Sequence, residues 1–196
     1  MAAIGFGAPS GRGVSGPAFV VVLLGAESTG KTTLAHELAA TLATHGERVA
    51  RVDEYLREFC AERGRTPCRD EQRGIAAEQT ARIEVAAATA DIVIADTSAL
   101  MIAVYGELVF GDKSLYASAL AAHRRAQLTL VMALDLPWRE DGLQRDGVHV
   151  RAPVDGLIRA ALAGAGTAST TIEGIGRARL GSALHAIDAT RPCRPA

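Results

Sequence analysis

Short runs of consecutive apolar residues alternate along this chain with longer stretches of helical period. The runs fall at 19–24, 48–52, 91–95, 128–134 and 169–173; the first, Phe19-Val20-Val21-Val22-Leu23-Leu24, carries no polar side chain at all. Unbroken apolar runs of this length mark strands covered on both faces, the condition of a parallel sheet, whereas a strand with one wet face would alternate. Between the runs, the 3.6-residue period predicts helices at about 31–45, 53–63, 70–89, 97–108, 113–126, 153–164 and 176–188. Strand followed by helix, repeated along the chain, predicts an α/β three-layer sandwich around a five-stranded parallel sheet.

The two ends break the pattern. Residues 1–17 are mostly Gly, Ala, Ser and Pro, which bury too little apolar surface to offset the entropy of ordering, and are predicted to be a disordered leader. Residues 191–196, with two prolines, read as a tail, and 18–190 as a single domain. A formal net charge of −1 gives no electrostatic footprint for nucleic acid or an anionic membrane, so the expected partners are small molecules. Oligomeric state is left open. The apolar run 19–24 is too short to cross a bilayer. Cys60, Cys68 and Cys193 are odd in number and lack CxxC spacing, which suits a reducing cytoplasm rather than a disulfide or zinc framework. The histidines are scattered and are assigned no role.

Gly25-Ala26-Glu27-Ser28-Thr29-Gly30-Lys31-Thr32, continued by Thr33, directly follows the first apolar run and opens a helix. This is GxxxxGK[ST] in the strand-loop-helix setting that the motif requires. Its glycines let backbone amides close around anionic oxygens, and the helix N-terminus adds positive partial charge. The fold class is therefore that of a P-loop NTPase, and the expected ligands are ATP and Mg²⁺. Lys31 would reach the β and γ phosphates, and Thr32 would ligate the metal. A second metal-side oxygen is expected where another buried strand ends in a carboxylate, and Asp96 supplies it after Ile92-Val93-Ile94-Ala95. Capping the helix that follows is the alternative role for Asp96.

Ligand sites of open parallel sheets lie at the carboxyl ends of strands, which draws attention to Asp53 and Glu54 at the end of the second run. A carboxylate there can take the proton of an attacking hydroxyl; Glu54 is the first choice and Asp53 the alternative, and both also suit a helix start. After the fourth run, residues 136–151 are polar and arginine-bearing and read as a short lid, with Arg139 and Arg145 as clamps on the phosphoryl group in transit. A solvated loop with internal Arg–Asp pairs is the plainer reading. Trp138, Tyr55 and Tyr105 suit stacking on a ligand ring or packing, and Gln79 suits reading a polar substrate group or simple exposure.

Together these segments resemble the nicotinamide riboside kinase domain of the NadR type, among the P-loop nucleoside and nucleotide kinases. The likeness runs through the loop to Leu34, then Glu54-Tyr55-Leu56-Arg57-Glu58-Phe59, Ile75-Ala76 with Gln79, Asp96-Thr97, Tyr105, Pro137-Trp138 and Asp141-Gly142-Leu143. It implies ATP- and Mg²⁺-dependent phosphorylation of the ribose 5′-hydroxyl of nicotinamide riboside, with Glu54, Tyr55, Arg57, Gln79, Tyr105 and Trp138 on the substrate side. Two positions depart from the family: Ser98 stands where it reads Asp, and Gln144 followed by Arg145 stands where it reads Arg. A kinase for another nucleoside or nucleotide, or an ATP-dependent regulatory switch, are the alternatives. The regulator would need no acceptor carboxylate.

Overall fold

The structure is a computed structural model and describes residues 17–139 and 147–191. Five strands, β1 (Phe19–Leu24), β2 (Val49–Val52), β3 (Ile92–Asp96), β4 (Leu128–Met132) and β5 (Thr170–Ile172), pair in parallel in the order β2-β3-β1-β4-β5. The order follows from composition. β1, β3 and β4 are buried at every residue and occupy the middle, while β2, with Arg51, and β5, with Thr170 and Thr171, are partly exposed and take the edges.

The helices are α1 (Lys31–Thr44), α2 (Tyr55–Arg63), α3 (Gln72–Ala87), α4 (Ala99–Phe110), α5 (Tyr116–His123), α6 (Arg151–Gly164) and α7 (Arg177–Thr190). Alternate residues of β1 face opposite layers, as the two-residue period of a strand demands. Val21 and Leu23 pack with Leu34 and Leu38 of α1 and Ala183 and Ile187 of α7; Val20, Val22 and Leu24 pack with Leu100 and Val104 of α4 and Val154, Ile158 and Leu162 of α6. Each fully buried Leu or Ile among these contributes about 1.5–3 kcal/mol of transfer free energy. A third cluster, Leu56 and Phe59 of α2, Ile75 of α3, Ile102 of α4 and Leu115, builds a wall beside the sheet. Among the described residues, no helix is long and apolar enough to cross a membrane.

Several helix ends shift by two or three residues from their expected places, and two changes have a local cause. α6 begins at Arg151 rather than at Pro153, because a 3-10 turn at Val148–Val150 leads directly into it, and a proline in the first turn gives up no intrahelical bond. Arg191, assigned to the tail, is instead fixed: its guanidinium donates to both carboxylate oxygens of Glu47, at 2.6 and 3.0 Å. The predicted leader, apart from residue 17, and the rest of the tail lie outside the described residues, as does the middle of the predicted lid with Arg145.

Candidate active site

β1 has neighbours on both sides, and the chain leaves it toward both sheet edges, so the crevice for a ligand lies at its carboxyl end. The loop after β1 occupies that place. Gly25 has φ 157°, and a Cβ on it would stand 2.9 Å from Cβ of Met132 and from Oγ1 of Thr29. Gly30 has φ 79° and ends the loop in the left-handed region that glycine tolerates. Ser28 takes φ 54° without being glycine, and its hydroxyl donates to the carbonyl of Arg139 at 2.6 Å, tying the loop to the segment after β4. Thr29, fully buried, donates to the carbonyl of Ala26 at 2.7 Å. Nζ of Lys31 folds back onto the loop, donating to the carbonyls of Gly25 at 2.8 Å and Ala26 at 3.0 Å. A cleft of about 560 Å³ opens over residues 28–33 and is closed by Arg57, Leu136, Pro137, Arg139 and Ile175. This is room for a nucleotide.

On the metal side, Oγ1 of Thr32 donates to Oδ2 of Asp96 at 2.5 Å, and Oδ1 of Asp96 is buried without a hydrogen-bond partner. A hydroxyl beside a carboxylate with one oxygen uncommitted is an all-oxygen donor set suited to Mg²⁺. Asp96 does not cap α4. Ser98 does, its Oγ accepting from the amide of Leu100 at 3.3 Å. Between them Thr97 holds φ 83°, a strained conformation for a β-branched residue, kept in place by its amide donating to the carbonyl of Leu23 at 3.1 Å. Strain of this kind accumulates where a chain is bent to aim ligand-binding groups.

On the acceptor side, the two candidate carboxylates part company. Glu54 is 8% exposed, precedes α2, and accepts from Nε of Arg57 at 2.9 Å. Asp53 faces solvent in an ion pair with Arg51. The strand places Arg51 and Asp53 on one side and turns Glu54 away from it. Gln79, expected to read substrate, is committed to the backbone on either side of Glu54: Oε1 accepts from the amide of Tyr55 at 2.8 Å, and Nε2 donates to the carbonyl of Asp53 at 3.3 Å. It positions the strand-to-helix turn. Tyr55 lies beneath the guanidinium of Arg82, 4.4 Å from ring centroid to Cζ, and Tyr105 packs half-buried on the core under α4. Neither lines the cleft. Trp138 is half-buried, with its indole N–H buried and lacking a partner.

A family model described as "AAA domain" matches residues 20–179. The chain belongs to this family of AAA domains. No curated protein matches the chain. Among solved structures, this AAA domain superimposes on a NadR protein in complex with NAD and AMP-PNP, with 20% identity and a TM-score of 0.69 over 91% of this chain and 52% of that one. It also superimposes on a NadR protein in complex with NR, with 20% identity and a TM-score of 0.72 over 90% of this chain and 52% of that one. A thymidylate kinase from Ehrlichia chaffeensis matches at 14% identity and a TM-score of 0.60 over 89% of this chain and 99% of that one. The chain thus spans about half the length of the NadR chains, and the fold is that of the P-loop kinases.

Two features of the AAA domain's site were not anticipated. Arg179 of α7, 4% exposed, donates from Nη1 to the carbonyl of Thr29 in the phosphate loop, from Nε to the carbonyl of Gly174 at 2.8 Å, and from Nη2 to Asp135. Asp135 in turn accepts from the amide of Gly174 at 2.6 Å. One guanidinium therefore joins the loop, the end of β4 and the turn after β5. His123, 4% exposed, sits between Ser98 and Thr129, with Nδ1 3.1 Å from one hydroxyl and Nε2 2.9 Å from the other, and burial lowers its pKa from 6.5 to about 4. It enters the site as a neutral support for the cap of α4.

Proposed function

We propose that this AAA domain is an ATP- and Mg²⁺-dependent phosphotransferase whose acceptor is a nucleoside, with the ribose 5′-hydroxyl of nicotinamide riboside as the first candidate. The observation that carries the reading is Glu54: a buried carboxylate at the carboxyl end of β2, bonded to Arg57, which itself lines the phosphate-loop cleft. A regulator that only binds ATP would not require an acceptor carboxylate. The NadR and thymidylate kinase likenesses support the class of acceptor, and the sequence segments around Glu54 and Pro137-Trp138 support nicotinamide riboside within it.

In this reading Lys31 and the loop amides hold the β and γ phosphates. Bound by Thr32 and Asp96, Mg²⁺ would offset phosphate charge. The acceptor oxygen bonds to the γ phosphorus as the bond from that phosphorus to the β–γ bridging oxygen breaks, and the hydroxyl proton passes to the Glu54 carboxylate. Arg57 orients Glu54 for the transfer through its Nε hydrogen bond. Arg139, exposed on the cleft wall, faces the phosphates and adds positive charge. The product is a nucleoside monophosphate with ADP.

Incubation of the purified chain with Mg-ATP and a panel of nucleosides, read by mass spectrometry, tests this directly. Glu54→Gln keeps shape but takes no proton, and lowers kcat by about 10²- to 10⁴-fold while ATP still binds. Asp53→Asn, on the solvent side, stays near wild type. Nucleoside-independent ATP hydrolysis with no phosphorylated product, or a larger loss in Asp53→Asn than in Glu54→Gln, overturns the assignment.

A further inference from the structure

We infer that the chain carries a second small-molecule site, at the end of α4 away from the phosphate loop, which takes a neutral single-ring heterocycle bearing an amide edge. The site is a pocket of about 180 Å³ between the start of α3 and the end of α4. An engineered cavity of about 150 Å³ holds benzene, so one ring fits here. The pocket shares no residue with the cleft over the phosphate loop. α4 begins three residues after Asp96, and Phe110 at its other end borders the pocket, so about 16 Å of helix separates the two places.

Two observations point to a ligand. Gln72, the first residue of α3, borders the pocket and is 6% exposed, and its Oε1 is buried without a hydrogen-bond partner. A buried amide oxygen left unmet costs free energy, so this one calls for a donor from outside the chain. The second observation is Gly106, which stands inside α4 where a helix favours alanine. Packing does not demand the glycine, since a Cβ there would come no closer than 3.5 Å to the carbonyl oxygen of Asp112. Its missing side chain leaves the pocket wall open.

Charge argues against an ion as the occupant. Around the pocket Arg69 and Arg73 are matched by Asp70 and Asp112, and Asp112 is already committed, Oδ2 to Nε of Arg69 and Oδ1 to the amide of Ser114, both at 2.9 Å. A phosphate or carboxylate would meet repulsion as well as attraction, whereas a neutral ring meets Phe110 with its face and Gln72 with its edge. That edge is an amide. A ligand with an N–H beside a C=O pairs with the glutamine amide whichever way the latter is turned. Gln72 and Gln79 lie seven residues apart on the buried face of α3, and Gln79 bonds the backbone on both sides of Glu54. An occupied pocket therefore braces the helix that holds the acceptor carboxylate, about 10 Å along its axis. This last consequence rests on the phosphotransferase reading; the binding does not.

Ligand-observed NMR and calorimetry on the full chain, with no ATP present, test the site with uracil and nicotinamide as amide-bearing probes and with nicotinate and pyridine as rings that lack the N–H. Uracil and nicotinamide should bind, and the other two should bind about tenfold more weakly or not at all. Gln72→Leu keeps the size and removes the amide. Affinity for both amides should fall about tenfold or more, with ATP affinity unchanged and the melting temperature level or higher, because an unmet buried oxygen is gone. Gly106→Val fills the pocket from α4 and should abolish binding of both amides; it serves also if the leucine variant fails to fold. Wild type that binds neither amide, nicotinate that binds as tightly as nicotinamide, or binding retained in both variants overturns the inference. So does a Gln72→Leu variant whose KM for a phosphorylated nucleoside rises about tenfold, which would make the pocket part of the acceptor site. A chain that phosphorylates no nucleoside refutes the acceptor reading alone, and the binding measurements still decide for or against the pocket.

Discussion

Arg179→Met tests whether the phosphate loop is held from α7. The substitution keeps the aliphatic stem and removes a guanidinium that serves Thr29, Gly174 and Asp135 together. The carbonyl of Thr29, a fully buried residue, loses this donor, which costs about 1–3 kcal/mol. Breaking a buried pair from one side costs about 3–5 kcal/mol, but the Asp135 side chain is 34% exposed, and solvent screening brings that part toward the lower end. Since the same atoms enter both figures, they overlap, and a total of about 3 kcal/mol is expected. For a chain of this size each kcal/mol moves Tm by about 2–4 °C, so Arg179→Met should melt about 6–12 °C lower. The Thr29 carbonyl also fixes the curvature of the loop, so ATP affinity, measured by calorimetry well below the new Tm, should fall about tenfold or more. Asp135→Asn leaves the bonds to Thr29 and Gly174 in place and should cost less in both readouts. A double-mutant cycle then isolates the ion pair. If Arg179→Met melts within about a degree of wild type and binds ATP equally well, the buttress is decorative and the reasoning fails.

Two further outcomes follow from the same geometry. Asp96→Asn preserves size but not charge, and should raise the Mg²⁺ concentration for half-maximal turnover by about tenfold or more; a lowered Tm with an unchanged Mg²⁺ requirement would return Asp96 to a structural role. His123 is neutral in the fold because burial holds its pKa at about 4 against 6.5 unfolded. The unfolded chain therefore binds the extra proton between those values, and stability falls as pH drops through that window, by about 3 kcal/mol in full. Denaturant titrations at pH 7, 6 and 5 should show the decline in wild type and a flatter profile in His123→Gln; parallel profiles refute it. Glu71 and Asp112, held near 2 by Arg65 and by the backbone amide of Ser114 respectively, lose their contribution as pH falls from the ordinary carboxylate range to about 2, below the pH values of that comparison.

Much of the scaffold was legible because its signals are local. An apolar run, a glycine-rich loop and a helix start are each contained in a few consecutive residues, and the five runs became the five strands with ends shifted by one or two positions. That Asp53 rather than Glu54 faces solvent was half-legible: Asp53 follows Arg51 by two, across the end of β2, and their opposite charges foretold a surface pair. The burial of Gln79 was legible in its phase, four after Ile75 and three after Ala76, but its backbone partners around Glu54 were not, since they come from another element. The burial of Arg151, Arg179 and His123 was missed for a different reason. Each occupies the core-facing phase of its helix: Arg151 precedes the stripe Val154, Ile158 and Leu162; Arg179 precedes Ala183 and Ile187; His123 follows Ala119 by four. Read as exposed charge or scattered histidine, they vanish into the background. Read as polar residues in phase with an apolar stripe, they are the places where the fold accepts a burial penalty.

Ser98 shows why that penalty falls where it does. The related kinases resembled in sequence carry a carboxylate at this position, and here a hydroxyl caps α4 and meets His123. An acidic side chain in its place would stand two residues from Asp96 and against an imidazole whose other nitrogen is bonded to Thr129. That carboxylate would favour the protonated imidazole and raise its pKa, and it would add a second negative charge beside the metal oxygens. With serine the imidazole stays neutral, and no second carboxylate stands at position 98 beside Asp96. A metal held as proposed above would rest on Asp96 and Thr32, and a triphosphate in the loop would meet the charge of Lys31. The exchange at 98 therefore removes one negative charge from beside Asp96 and leaves His123 a neutral partner for the hydroxyl that caps α4.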